Sequence, residues 1–198
     1  MTAATRIVIV RHAQPHGGAL VLPTPEVELD ETGVEHAERL SHALASRSPA
    51  AVYSSPYART VQTAQPLAAL LGLEAVAVPD LREIDFGKVA GLSLEEVARD
   101  HPELMSWTTA PSAVVFPGGE AVEAVRDRAV PAVETLVRAH PGETVVVICH
   151  GVVIRVVLAC ALEMPLDAMF RFDIPYGSTS VIDWFDGRPL VRSVNASI

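Results

Sequence analysis

Two short runs of this chain are apolar without interruption and then stop on a histidine. Ile7-Val8-Ile9-Val10 runs into Arg11-His12, and Val145-Val146-Val147-Ile148-Cys149 runs into His150-Gly151. A continuous β-branched run reads as a strand covered on both faces, because a half-exposed strand would alternate polar and apolar residues. Such strands belong to an open, largely parallel sheet with helices on either side, where the carboxyl ends of the strands line the ligand crevice. Two junctions far apart in sequence can therefore bring two imidazoles to one place.

The remaining periodicity fits that frame. Strands are expected at residues 6–10, 51–54, 74–78, 144–149, 179–185 and 190–194, and helices at 32–46, 56–71, 93–100, 120–140 and 152–162. Ser93 with Glu96 reads as a capping box, and Gly72 as the glycine that closes the second helix. Asp186-Gly187 between two strand patterns signals a hairpin, which puts an antiparallel strand at the end of the chain. The expected fold is α/β: a three-layer α/β/α sandwich with a mainly parallel sheet and an antiparallel edge strand. At 198 residues the chain is read as a single domain, residues 1–198.

Composition narrows the function. Asp and Glu outnumber Lys and Arg by 24 to 15, and no basic run exists to lie against nucleic acid or an anionic membrane. No apolar stretch approaches the roughly 20 residues needed to cross a bilayer, and the four apolar residues before Arg11 are too few for a signal-peptide core. Cytoplasmic residence is the expectation, with Cys149 and Cys160 as two buried small side chains rather than a disulfide or metal pair. An acidic protein can still bind a phosphorylated molecule where its few arginines converge.

Four short segments carry chemistry. In Arg11-His12 a neutral imidazole can attack phosphorus while the guanidinium holds phosphoryl oxygens, or the two can be a structural pair. In Ser54-Ser55-Pro56-Tyr57-Ala58-Arg59 a strand turns into a helix with a cation in its first turn, where the helix dipole disfavours it unless an anion is near. In Leu81-Arg82-Glu83-Ile84-Asp85-Phe86-Gly87, Glu83 or Asp85 can serve as a general acid, or both can simply be solvated. In His150-Gly151 the histidine can donate to a phosphoryl oxygen, and the Gly151 and Val152 amides open toward the same anion.

Taken in order, Arg11-His12, Ser54-Ser55-Pro56-x-x-Arg59-x-x-x-Thr63, Leu81-x-Glu83-x-x-x-Gly87-x-x-x-Gly91, Phe116-Pro117-Gly118-Gly119-Glu120 and His150-Gly151 form a pattern similar to the histidine phosphatase superfamily, the phosphoglycerate mutase-like proteins of branch 1. The resemblance implies that His12 forms a phosphohistidine and that Arg11, Arg59 and a charged His150 complete the phosphate pocket. It implies Glu83 as the acid that protonates the leaving alkoxide and then activates water, with Asp85 as its competitor. Gly151 and Gln14 are placed with Arg11, His12, Arg59 and His150 among the substrate-binding residues. The activity implied is metal-independent phosphomonoester hydrolysis with no cofactor, on a small phosphorylated metabolite or a phosphoprotein, with a homodimer allowed.

Departures from the family pattern qualify this. After Arg11-His12, many members continue Gly-Glu/Asp-Thr with an asparagine further on; here Ala13-Gln14-Pro15-His16-Gly17 follow, so Gly17 stands at the asparagine's position. Val89-Ala90 stand where Trp-Glu is frequent. Three rivals remain: a mutase, disfavoured by the short chain; a non-catalytic phospholigand-binding module; and a metallohydrolase on His12, His150, Glu83 and Asp85, from which the two arginines would repel a cation. The two long loops, 16–30 and 101–119, are expected to wall the pocket through His16, Leu22, Met105, Trp107 and Phe116, favouring a leaving group with some apolar surface.

Overall fold

The computed structural model describes residues 4–196. Six strands form one sheet: β1 (Thr5–Arg11), β2 (Ala51–Ser54), β3 (Ala75–Ala77), β4 (Thr144–Cys149), β5 (Thr179–Phe185) and β6 (Arg188–Ala196). Their order is β3-β2-β4-β1-β5-β6, with β3, β2, β4 and β1 mutually parallel. β5 runs antiparallel to β1, and β6 antiparallel to β5, so the hairpin supplies both strands on that side of the sheet. Its turn residues Asp186 and Gly187 have φ of 50° and 80°, the left-handed pair that a tight right-twisted hairpin needs.

Five helices cover the sheet: α1 (Glu31–Ala45), α2 (Ala58–Leu71), α3 (Leu94–Asp100), α4 (Val122–Ala139) and α5 (Gly151–Ala161). Three of their ends follow from local sequence chemistry. Asp30 caps α1 by accepting from the Gly33 amide at 2.7 Å, Gly72 closes α2 at φ 65°, and Ser93 and Glu96 form the capping box of α3.

Alternation along β1 makes the three layers. Ile7 and Ile9 pack with α4 and α5, while Val8 and Val10 pack with Leu40 and Leu44 of α1 and Leu67 of α2. All four are 0% exposed, and burying each such side chain stabilises by about 1.5–3 kcal/mol. From β1 the chain leaves to one face through α1, and from β4 to the other through α5. Their shared boundary is the point at which the winding reverses, where open α/β sheets place ligands.

The long loops are less irregular than the sequence suggests, since residues 18–20, 102–108 and 111–113 form 3-10 turns. Phe116 and Trp107 pack inward. Phe116 is buried edge-on to Phe86, with ring centroids 5.0 Å apart, and Trp107 packs against Phe116 and Phe170. Met105 and His16 are exposed, and Leu22 packs against the core.

Candidate active site

The two strand-end histidines meet. The His12 amide donates to the Cys149 carbonyl at 3.0 Å, continuing the β1–β4 ladder one residue past the strand, and the His12 and His150 rings lie 5.2 Å apart. His12 Nδ1 lies 2.7 Å from the Ala13 carbonyl, a bond that places the proton on Nδ1 and leaves Nε2 unprotonated, an acceptor toward Arg59. Arg59 Nε points at that Nε2 from 3.3 Å. Burial, with Arg59 and Arg11 close by, pushes the His12 pKa well below its ordinary 6.5, so the imidazole is neutral and nucleophilic near neutral pH.

Both arginines arrive as the sequence predicts, but buried. Arg59, 0% exposed, is fixed by an Nη1 bond to the Thr24 carbonyl at 2.8 Å, and its Nη2 has no partner. Thr24 belongs to the 16–30 loop, which therefore reaches the site through its backbone. Arg11 donates from Nη1 to the Ile174 carbonyl at 2.6 Å and lies flat on the Tyr176 ring, 3.8 Å from its centroid; its Nε is unpartnered. Burial lowers the pKa of both guanidiniums, though each stays charged.

His150 requires a correction. Burial, then the charges of Arg59, His12 and Arg11, hold its pKa well below 6.5, so it is neutral in the ligand-free protein rather than a standing cation. Ser55 Oγ lies 2.7 Å from its Nε2; with Ser55 donating, Nδ1 carries the proton, and that nitrogen has no partner. His150 thus offers the site one N–H donor, and a second positive charge only when a bound dianion draws a proton.

Glu83 is buried beside the start of α5. Its Oε1 accepts from the Ile84 amide at 3.0 Å and its Oε2 from the Val152 amide at 3.4 Å. The Val152 amide is therefore taken by Glu83 rather than open to an anion. Gly151 has a packing role: a Cβ there would sit 3.1 Å from Arg155 Nη1 and 3.5 Å from Arg11 Cζ, so glycine lets the Arg11 guanidinium lie against the helix terminus. Asp85 turns away, accepting from the Gly87 amide at 2.8 Å on the exposed side of the loop.

Gln14 is not brought in. Its amide nitrogen donates to Asp30 at 2.8 Å, and its carbonyl accepts from the Asp30 amide, which ties the segment after His12 to the cap of α1. Sequence reasoning missed Tyr176, whose ring lies 5.4 Å from that of His12, and Tyr57, 5.2 Å from His150. Tyr57 sits inside a recognised segment and was open to discovery; Tyr176 follows a stretch with no distinguishing pattern. A cavity of about 570 Å³ lies elsewhere, between the carboxyl end of α5 and the β5–β6 hairpin.

A neutral, oriented imidazole ringed by buried N–H groups without partners is suited to attack on a phosphoryl group and to holding its oxygens. The comparisons agree with that chemistry. The family model described as histidine phosphatase superfamily (branch 1) matches residues 7–197. Phosphoserine phosphatase 1 of Hydrogenobacter thermophilus is 32% identical over 195 residues, covering 96% of this chain and 92% of that protein. A bifunctional protein of Mycobacterium tuberculosis is 31% identical over 195 residues, but this chain spans only 54% of its length. The solved structure of a mycobacterial glucosyl-3-phosphoglycerate phosphatase superposes with a TM-score of 0.90 at 26% identity, covering 98% of this chain and 100% of that one.

Proposed function

This chain belongs to the histidine phosphatase superfamily, branch 1, and is a phosphoric monoester hydrolase; from that premise we propose how its own residues carry the reaction. His12 Nε2 attacks phosphorus as the bond to the ester oxygen breaks, and Glu83 gives its proton to the departing alkoxide. The phosphohistidine is then cleaved by water, whose proton returns to the Glu83 carboxylate, and inorganic phosphate leaves. Arg11 Nε, Arg59 Nη2 and His150 Nδ1 donate to the equatorial oxygens, where phosphoryl transfer needs charge compensation.

The observation that carries this reading is those three atoms: all are buried, all lack a protein partner, and they surround a nucleophile whose tautomer is fixed. Buried donors are normally satisfied, so donors left open around one nitrogen make an anion site. The two guanidiniums supply the positive charge a metal would otherwise bring, and hydrolysis is proposed to survive EDTA.

For substrate we propose a small phosphorylated metabolite bearing a carboxylate. The support is the names of the relatives, a phosphoserine phosphatase and a glucosyl-3-phosphoglycerate phosphatase. No helix of the described residues is long and apolar enough to cross a membrane, and cytoplasmic residence is kept as part of the proposal.

The test is a panel of phosphoserine, 3-phosphoglycerate, glycerol 3-phosphate and a phosphohistidine protein, with alkaline quench in detergent during turnover and acid treatment of the trapped protein afterwards. We expect inorganic phosphate as product, an acid-labile phosphoenzyme, and loss of both in His12→Ala by roughly 10⁴-fold or more. Formation of 2-phosphoglycerate without phosphate release would make it a mutase. Tight phosphate binding without turnover would make it a binding module.

A further inference from the structure

The segment Phe116-Pro117-Gly118-Gly119-Glu120 touches no reacting group, yet its contacts with the Glu83 loop are dense. Glu120 is the hub. Its carboxylate accepts from Arg82 Nη2 at 2.9 Å, from Arg128 Nε and Nη2 at 2.9 and 2.8 Å, and from the Asp85 amide at 3.0 Å. Arg128, thus fixed, donates to the carbonyls of Asp80, Arg82 and Glu83 at 2.7, 2.8 and 3.1 Å. Each backbone group between Asp80 and Asp85 that these bonds reach is read by the same ion pair.

The glycines let the two segments touch. A Cβ on Gly119 would collide with the Asp85 carbonyl, and one on Gly87 with the Pro117 carbonyl. The Glu120 amide donates to Asp85 at 2.9 Å and the Lys88 amide to Pro117 at 2.9 Å. Burial acts to raise the Glu120 pKa, but bonds from Arg128 and the Asp85 amide, with the charges of Arg128 and Arg82, outweigh it and hold the carboxyl below its ordinary value. Arg128 and Glu120 are 10% and 15% exposed at their side chains, so the pair is little screened by solvent.

We propose that Glu120 and Arg128 are positioning residues for the general acid: the pair clamps the backbone on both sides of Glu83 and so aims its carboxyl at the leaving-group oxygen. The proposal rests on Glu83 being that acid. The loop that carries Glu83 is short and lies between the 3-10 turns Pro79–Leu81 and Gly87–Val89, so it has little rigidity of its own, and misplacing a catalytic group by about 1 Å can cost on the order of 10²-fold in rate. The clamp acts only where Glu83 transfers a proton, and in the first step that is as the P–O bond breaks and the P–N bond to His12 forms.

That restriction gives the test a readout that loss of stability does not move. An alkoxide needs the proton to leave; p-nitrophenolate leaves without it. kcat/KM reports the step that forms the phosphoenzyme, so the measured quantity is the ratio of kcat/KM for phosphoserine or 3-phosphoglycerate, whichever is turned over faster, to that for p-nitrophenyl phosphate. Glu83→Gln should lower this ratio by roughly 10²-fold or more, and Glu120→Gln and Arg128→Lys by about tenfold or more. If Glu83→Gln lowers the ratio and both clamp variants leave it unchanged, the clamp is overturned. If Glu83→Gln itself leaves the ratio unchanged, the assignment of the acid fails first. Should Glu120→Gln not fold, Arg82→Gln removes one bond to Glu120 from the exposed side and must lower the ratio in the same direction.

Discussion

The two ends of the sheet handle buried charge in opposite ways. At the amino end of β1, Arg6 donates to both oxygens of Asp183 at 2.7 and 2.9 Å, and Arg192 adds a third bond at 2.7 Å. Near that end Tyr53, His140 and Glu143 are chained by contacts of 2.9 and 2.7 Å. At the carboxyl end, Arg11, Arg59, His150, Arg155 and Ser178 each keep a buried polar atom with no partner, and among the described residues no other side chain does so. The amino end is a finished structural network; the carboxyl end keeps donors open, which the proposed function fills with an anion. Proteins tolerate such unspent donors where function uses them, so the contrast separates a site from a scaffold without reference to residue type.

The first way to break this comparison is to remove one charge from each end. Arg59→Met should lower kcat/KM by roughly 10²–10³-fold, the scale of losing one preorganised donor to the transition state. It should leave the Tm of the ligand-free protein unchanged or raised, since an unmatched buried charge is replaced by an apolar side chain. Thermal unfolding and steady-state kinetics on the same sample decide it. A drop of several degrees would mean that Arg59 is as structural as Arg6.

Asp183→Asn is the converse, smaller in effect. It leaves Arg6 and Arg192 without their shared carboxylate and should cost roughly 2–3 kcal/mol of stability, with kcat/KM within twofold of the parent. Inorganic phosphate sharpens the pair: near 100 times its Kd it should stabilise the parent and Asp183→Asn alike by about 2.7 kcal/mol, and Arg59→Met far less.

What the sequence made legible follows the same division. Layer order, the strand-end histidines and the first-turn arginine were readable because β-branched runs, caps and glycines act locally, though the arginine's burial was not. The Asp186-Gly187 turn and the Ser93–Glu96 box behave as their short-range chemistry requires. Quantities set by distant segments were not readable. Tyr176 comes under Arg11 only because the Gly177 amide bonds to the Arg11 and His12 carbonyls at 3.1 and 3.2 Å. Phe116 and Trp107, in a proline-rich stretch without periodicity, read as pocket walls; Phe116 is core and Trp107 packs against it. Gln14 looked available and is spent on Asp30, and the charge of His150 depends on burial that no local pattern encodes.

That last point yields the smallest and most specific expectation, a pH dependence of stability. His12 and His150 have folded pKa values well below 6.5, while the unfolded chain titrates them near that value. Between the two values the unfolded state holds more protons, so stability rises with pH up to about 6.5 and these groups contribute no slope above it. Partly buried His36, lowered by desolvation and by Arg39, adds in the same direction. Asp183 works elsewhere: bonds from Arg6 and Arg192 depress its carboxyl despite desolvation, so its contribution is present above 3.8 and is lost only as pH falls below that. Chemical denaturation between pH 4.5 and 7, with and without saturating phosphate, isolates the site. A bound dianion raises the His150 pKa toward its unfolded value, so phosphate should flatten the slope, whereas His36, whose shift comes from desolvation and Arg39 rather than from Arg11 and Arg59, keeps its share. An equal slope with and without phosphate would mean that no anion reaches His150, and that the open donors at the carboxyl end have some other cause.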